Sequence, residues 1–180
     1  IKENADWLTA MVENILSVTR IQQEGMSLQK TPEVLEEVAG EALIKIRKRF
    51  PDHNIALSLP DELLILPMES MLITQVIINL LENAIRHSGD REHIELSLSR
   101  RENWAVVTVS DRGCGIPLQT LADIRKGKQL PTGQDNDTSR GMGIGLSTCQ
   151  SIITAHGGTF CADNRPEGGA VLKFTLPLEE

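Results

Sequence analysis

Two pairs of alternating segments, each joined by a few residues, most constrain how this chain can fold. The segments HIELSLSR (93–100) and WAVVTVSD (104–111) are apolar at every second position and are connected through RENW, which predicts a β-hairpin. GTFCADN (158–164) and AVLKFTLP (170–177) repeat this arrangement around RPEGG. Strands joined by tight turns pair antiparallel. This favours an α+β two-layer sandwich, with a mixed sheet packed on helices, over a doubly wound parallel sheet.

Helical periodicity fills much of the remaining chain. Its clearest instance covers about 69–87, where apolar residues recur with the 3.6-residue helical period and make one stripe: Ile73, Val76, Ile77, Leu80, Leu81, Ala84 and Ile85. Another helix is predicted from Thr31 as N-cap, with Pro32 at the first position, to about Phe50. Further helices are predicted at 1–24 and from the glycine run at 141 to His156-Gly157, and short strands at 26–30, 54–60 and 63–66.

The polar face of the 69–87 helix is unusual for a solvated surface. It carries Asn79 and Asn83 one turn apart, beside Glu82 and Arg86. Asparagine is a poor helix former, roughly 0.5 kcal/mol worse than alanine at an interior position. Two neutral amide oxygens beside a carboxylate suit Mg²⁺ while leaving room for water and phosphate oxygens. The helix by itself leaves both a surface stripe and a metal or nucleotide site open.

Composition excludes several classes of protein. The chain has 180 residues and a net charge of −7, which argues against a general nucleic-acid binder. Three cysteines without CxxC spacing indicate neither a zinc site nor a disulfide framework, and favour a reducing, cytoplasmic setting. No run of 18 apolar residues is present, so no membrane contact is expected from this chain. It opens with Ile1 inside a helical pattern, which suggests a soluble piece excised from a larger protein, and that protein could be membrane-anchored without this piece showing it.

Two glycine runs indicate a phosphate or nucleotide site. GMGIG (141–145) opens a helix, where bare amides and the helix dipole favour an anion, although a flexible turn is an alternative reading. It matches neither the Rossmann fingerprint nor the Walker A loop. DRGCG (111–115) follows a strand directly, so Asp111 could accept a hydrogen bond from an exocyclic amine such as N6 of adenine. A plain Asx turn at Asp111 is the alternative.

These segments together resemble the ATP-binding domain of sensor histidine kinases, in the superfamily that includes gyrase, Hsp90 and MutL. NLLENAIRHS resembles the N box, DRGCGIP the G1 box and GMGIGLS the G2 box. The resemblance covers 26–180, while 1–25 resembles the C-terminal helix of the dimerisation and phosphoacceptor hairpin. MVENILSVTRIQ and NRPEGGAVLKFTLP are most similar to the KdpD group of potassium sensor kinases.

The resemblance implies a Bergerat-type fold with ATP and Mg²⁺ as cofactors, and it implies roles for individual residues. Asn79 and Asn83 would hold the metal. Glu82 would correspond to the superfamily's catalytic acid, with a polarising role in the histidine kinases. The other expected nucleotide contacts are Arg86, His87, Asp111, Gly113, Gly115, Ile116, Arg140, Gly141, Gly143, Gly145 and Leu146.

Two departures from the family pattern bear on activity. The expected ATP lid, 117–140, contains no phenylalanine, and Leu121, Ile124 and Leu130 are the candidate replacements. No H-[DE]-L-R-x-P motif surrounds any of the four histidines, so the phosphoacceptor is expected upstream, and His156 is expected to be structural. The expected partners are the upstream hairpin, a response regulator and a second subunit of a homodimer. A degenerate, non-catalytic ATP-binding or interaction module is the alternative.

Overall fold

Four helices and seven strands form in the described part of the chain, which comprises residues 28–89, 93–126 and 142–179 of a computed structural model. In chain order they are β1 (Thr31–Val34), α1 (Leu35–Arg49), β2 (Ile55–Ser58), β3 (Ile65–Met68), α2 (Ser70–His87), β4 (Ile94–Arg101), β5 (Trp104–Ser110), α3 (Leu118–Arg125), α4 (Met142–Ala155), β6 (Thr159–Asn164) and β7 (Ala170–Pro177). No helix among these residues has both the length and the apolar content that crossing a bilayer requires.

The main sheet is mixed, and both predicted hairpins form antiparallel pairs within it. Its five strands lie in the order β2-β4-β5-β7-β6, with β2 parallel to β4 and every other pair antiparallel. Strands β4 and β5 close at the Arg101–Trp104 pair, and β6 and β7 close at the Asn164–Ala170 pair. A separate two-stranded sheet joins β1 to β3. The predicted α+β sandwich is therefore confirmed.

The core lies between the main sheet and a layer of helices in which α2 contacts both α1 and α4. The seven apolar residues predicted to form the α2 stripe are all buried. They belong to the same buried cluster as side chains from the strands, among them Leu96, Val107, Leu172 and Phe174. Because only three phenylalanines occur in the chain, this core is almost wholly aliphatic.

The start of the helix predicted from Thr31 to about Phe50 is wrong. Thr31 and Pro32 do not begin α1; residues Thr31–Val34 form a strand antiparallel to Ile65–Met68. Pro32 lies opposite Pro67, and both missing N–H groups can fall on a non-hydrogen-bonded pair of the ladder. Helix α1 begins only at Leu35, whose N–H donates to the Leu64 carbonyl at 2.9 Å.

The short predicted strands need adjustment of their ends. The segment predicted at 54–60 forms β2 at Ile55–Ser58, and the one predicted at 63–66 forms β3 at Ile65–Met68. Of the strand predicted at 26–30, residues 28–30 form none and the first two lie outside the described residues. The helix predicted at 1–24 also lies outside them.

His156 joins the end of α4 to the beginning of α2. It is buried, its Nδ1 lies 2.8 Å from the Ile152 carbonyl, and its Nε2 accepts a hydrogen bond from the Glu69 N–H at 3.1 Å. Glu69 is the N-cap residue of α2. One neutral tautomer satisfies both contacts, with the proton on Nδ1. Burial lowers the pKa of His156 below its ordinary 6.5, Lys30 acts in the same direction, and the Ile152 carbonyl and Glu69 oppose the shift.

Protonation of His156 should therefore oppose folding. Because its pKa is lower in the folded chain, the unfolded chain binds more protons at mildly acidic pH. The stability that it contributes is full above about pH 6.5 and is lost as pH falls through the folded pKa, by at most about 1.4 kcal/mol per pH unit. Urea unfolding between about pH 5 and pH 8 measures this dependence. His156→Gln should flatten the slope.

Candidate functional site

Three segments that are distant in sequence meet around α2. The last residue of this helix, His87, accepts a hydrogen bond through its carbonyl from the Cys114 N–H at 3.4 Å, in the loop after β5. Nearer the start of the same helix, the Asn79 side chain hydrogen-bonds the thiol of Cys149 on α4. The structure therefore brings together the parts of the chain that carry the two asparagines, Asp111 and the second glycine run.

Asp111 is a buried carboxylate at the end of β5. Its Oδ1 accepts hydrogen bonds from two backbone N–H groups, that of Gly113 at 2.7 Å and that of Ala170 at 3.3 Å. Within the described residues no hydrogen bond reaches its Oδ2. The Asx turn and the free acceptor were alternatives at the sequence level, but they occur together: one oxygen closes the turn and the other is available to a ligand.

The loop after β5 passes so close to α2 that it has no room for a side chain at position 113. A Cβ at Gly113 would lie 1.9 Å from the His87 carbonyl oxygen and 2.7 Å from the Ser88 Cα. Both obstructing atoms belong to the backbone and cannot rotate away. Glycine at this position therefore sets the separation between Asp111 and the end of α2.

His87 and Arg86 provide the basic side chains beside Asp111. Burial lowers the pKa of His87, the carboxylate of Asp111 opposes that shift, and the guanidinium of Arg86 adds to it. His87 is half-buried and Arg86 is exposed. At neutral pH the imidazole is therefore uncharged, and the permanent positive charge at this end of α2 is that of Arg86.

The two asparagines of α2 differ in how firmly they are held. Asn79 Oδ1 accepts a hydrogen bond from Gln75 Nε2 at 3.2 Å, and the same side chain contacts Cys149. Burial raises the pKa of the Cys149 thiol to about 12, although its hydrogen bond with Asn79 acts in the opposite direction. Cys149 is therefore an inert thiol that anchors Asn79 to α4.

Asn83 is half-buried, and its amide makes no hydrogen bond within the described residues. An unpaired amide oxygen at the edge of a site is a suitable ligand for a hard cation. No cluster of three His, Cys, Asp or Glu side chains in the described ranges could hold a metal without help. The residues fit a magnesium ion that takes only one or two amide oxygens from the protein and its other ligands from phosphate and water.

Glu82 is buried and ion-paired with Arg49, the last residue of α1. The guanidinium of Arg49 also lies over the Phe50 ring, 5.4 Å from its centroid. The sequence pattern places Arg49 only in a basic run that complements the helix dipole, and it does not predict this pair. The pair holds one oxygen of Glu82 toward α1, so the carboxylate is fixed rather than freely rotating.

The remaining predicted residues fall into two groups. Ile116 and Leu146 are buried, and Gly143 and Gly145 lie within α4 near its start. Arg140 and Gly141 lie outside the described residues, as does most of the predicted lid. The first part of that segment forms α3, in which two of the three candidate replacements for phenylalanine, Leu121 and Ile124, are buried; Leu130 lies outside the described residues.

A family model supports the assignment. Residues 68–180 match the model described as histidine kinase-, DNA gyrase B- and HSP90-like ATPase. The chain belongs to this family. Within it, the similarity to sensor kinases is specific: the sensor protein KdpD of Clostridium acetobutylicum is 37% identical over 99% of this chain. KdpD of Escherichia coli is 37% identical over 95% of it.

The protein is thus an ATP-binding domain of the sensor histidine kinase type, similar to that of KdpD. The chain spans about a fifth of the length of these relatives, 20% and 19% respectively. Among solved structures, the catalytic domain of the histidine kinase ThkA is similar with a TM-score of 0.71 and 26% identity, over 84% of this chain and 97% of that domain. The fold and its order of elements are those of the kinase catalytic domains.

Gly113→Ala should distort this kinase domain where the loop passes α2. The new methyl group would overlap the His87 carbonyl, so we expect the free energy of unfolding to fall by at least about 2 kcal/mol. Gly40→Ala is the matched control, since a Cβ there meets nothing within 4 Å and α1 should gain up to about 1 kcal/mol. Chemical denaturation of both variants tests the close approach. Equal stability of the two variants would contradict it.

Proposed function

We propose that this chain binds ATP with Mg²⁺ and transfers the γ-phosphoryl group to a histidine that lies upstream of it in a two-component sensor kinase. The bond from the γ-phosphorus to its bridging oxygen breaks, a P–N bond to the imidazole forms, and ADP leaves. Positioning and charge neutralisation are the main contributions that a protein makes to such a transfer. The observation that carries the proposal is that Asp111 is buried with one carboxylate oxygen bound by backbone N–H groups, while within the described residues no hydrogen bond reaches the other oxygen.

Asp111 supports recognition of adenine. Its Oδ1 is engaged by two backbone N–H groups, which fixes the direction in which Oδ2 points. Oδ2 can accept a hydrogen bond from the exocyclic amine of adenine. Ile116 and the uncharged His87 would supply apolar and aromatic surface beside the base. Guanine would place a carbonyl oxygen against the same carboxylate.

The polar face of α2 supports binding of the phosphates. We propose Asn83 and Asn79 as ligands of Mg²⁺, which when bound neutralises charge on the phosphates. Arg86 is exposed and would pair with a phosphate oxygen. The backbone N–H groups at the start of α4, including those of Gly143 and Gly145, would donate to phosphate oxygens, with Gly141 and Arg140 next to them. Glu82, held by Arg49, would polarise the attacking group.

The upstream part of the kinase would supply the acceptor. We propose that residues 1–25 are the second helix of the dimerisation and phosphoacceptor hairpin and that 26–180 form the catalytic domain. The whole protein would act as a homodimer and pass the phosphoryl group to a response regulator. Because no phosphoacceptor motif is present in the sequence, the chain by itself should bind ATP and not label itself.

Phosphorylation in trans tests catalysis against the alternative of a non-catalytic module. The chain would be mixed with radiolabelled ATP, Mg²⁺ and a separately produced KdpD-type phosphoacceptor hairpin. Acid-labile label on the hairpin supports the kinase reading. Tight ATP binding without any transfer would favour the degenerate module, for which the absence of phenylalanine between residues 117 and 140 is the sequence argument.

Asn83→Ala should abolish Mg²⁺-dependent ATP binding. The side chain is half-buried and makes no hydrogen bond within the described residues, so the free energy of unfolding should change by less than about 1 kcal/mol. Titration calorimetry with and without Mg²⁺ measures the loss. The exposed Asn54→Ala serves as the control and should bind like the parent. If Asn83→Ala retains parental Mg²⁺-ATP affinity, the metal assignment is wrong.

The parent should prefer ATP to GTP by roughly ten- to a hundred-fold, because guanine leaves buried acceptors unpaired at a cost of about 1–3 kcal/mol. Asp111→Asn sharpens the test. If Oδ1 keeps its two backbone donors, the new amide presents N–H groups to the base and should donate a hydrogen bond to guanine O6. Competition binding should show the ATP preference reduced or reversed. An unchanged preference would remove Asp111 from the base pocket.

A further inference from the structure

The segment NRPEGG (164–169), which the sequence marks only as similar to the KdpD group, forms the hairpin behind Asp111. Strand β6 ends at Asn164, which pairs with Ala170 at the start of β7. The turn between them is closed by hydrogen bonds from Arg165 N–H to the Gly169 carbonyl at 2.9 Å and from Gly168 N–H to the Arg165 carbonyl at 3.1 Å.

On the β7 side of this turn, Ala170 holds Asp111 directly. The Asp111 N–H donates to the Ala170 carbonyl at 3.0 Å, and the Ala170 N–H donates back to Asp111 Oδ1 at 3.3 Å. Contact between the two backbones is close, since a Cβ at Gly169 would lie 2.0 Å from the Asp111 carbonyl oxygen. The position of the carboxylate therefore depends on the hairpin.

On the β6 side of the turn, Asn164 holds the other side of the loop that follows β5. The Asn164 side chain makes two hydrogen bonds to Ile116: its Oδ1 accepts from the Ile116 N–H at 2.7 Å, and its Nδ2 donates to the Ile116 carbonyl at 2.8 Å. Its amide thus pairs with the peptide groups of Ile116 much as a neighbouring strand would. Asparagine is suited to this role because one short side chain offers both a donor and an acceptor.

Asn164 also explains the glycine at position 115. Gly115 has φ of +77°, and a Cβ there would lie 2.8 Å from Asn164 Oδ1. The asparagine side chain occupies the space that a side chain at 115 would need. The loop is consequently held at two points, Asp111 and Ile116, by the two residues that flank one turn, Ala170 and Asn164.

We infer that Asn164 is a positioning residue that sets the adenine-binding side of the nucleotide site by fixing Ile116 relative to Asp111. The inference rests on the proposed binding of ATP. Among the described residues, the side-chain hydrogen bonds of Asn164 go to Ile116 and not to the residues proposed to bind phosphate. Its loss should therefore weaken recognition of the base and leave recognition of the phosphates largely intact.

The test compares Asn164→Ala with Thr159→Ala, which removes a side-chain hydrogen bond, to Thr175 at 2.8 Å, from the other end of the same hairpin. Asn164→Ala should lower ATP affinity by about ten-fold and reduce the preference for ATP over GTP, because two hydrogen bonds are lost. Its affinity for inorganic tripolyphosphate should change by less than about two-fold. Thr159→Ala should bind all three like the parent.

Hydrogen exchange of the nucleotide-free protein provides a readout that needs no ligand. Asn164→Ala should speed exchange at the Ile116 amide by at least about ten-fold, and Thr159→Ala should not. If Asn164→Ala does not fold, Asn164→Asp replaces it: this variant keeps the acceptor for the Ile116 N–H but opposes the Ile116 carbonyl, so ATP affinity should still fall.

Several results would overturn the inference: parental ATP affinity in both Asn164 variants, equal losses for ATP and tripolyphosphate, or unchanged exchange at Ile116. Failure of the parent to bind ATP is a different result. It would remove the proposed function, and the exchange measurement would then decide by itself whether Asn164 fixes the loop.

Discussion

The burial of α2 is the constraint on which the rest of the domain depends. This helix contacts α1, α4, β4 and β5, and its apolar stripe is almost completely excluded from solvent. A helix covered on so many sides leaves a narrow polar strip accessible, and that strip carries Asn79, Asn83 and Arg86. The direction of these side chains follows from the packing of the stripe, because rotation of the helix about its axis would expose isoleucine and leucine.

Local periodicity accounts for what could be predicted from the sequence. The α2 stripe repeats with the helical period and the four hairpin strands alternate, so their positions and inward faces follow from which residues must be buried. Both patterns can be recognised within a short stretch of sequence. The Asx turn at Asp111 is equally local, since it joins Asp111 to Gly113, two positions further along the chain.

Pairings between distant segments account for what could not be predicted. Thr31-Pro32-Glu33 has the composition of a helix start, yet its pairing with Ile65–Met68 overrides local preference. The ion pair of Arg49 with Glu82 and the hydrogen bonds of the Asn164 side chain to Ile116 join residues that are far apart in sequence. Nothing in the residues around Asn164 distinguishes a side chain that bonds a distant backbone from one that faces solvent.

The hydrogen bonds of Asn164 and Ala170 to the loop after β5 have a consequence for biosynthesis. Asp111 and Ile116 are made well before Asn164 and Ala170, and each has hydrogen bonds that only this later hairpin supplies. On a ribosome, the proposed base pocket therefore stays incomplete until β6 and β7 have emerged. Nucleotide would act as a folding ligand only from that moment, so a truncated or stalled chain would lack the stabilisation that a bound ligand gives to the native state.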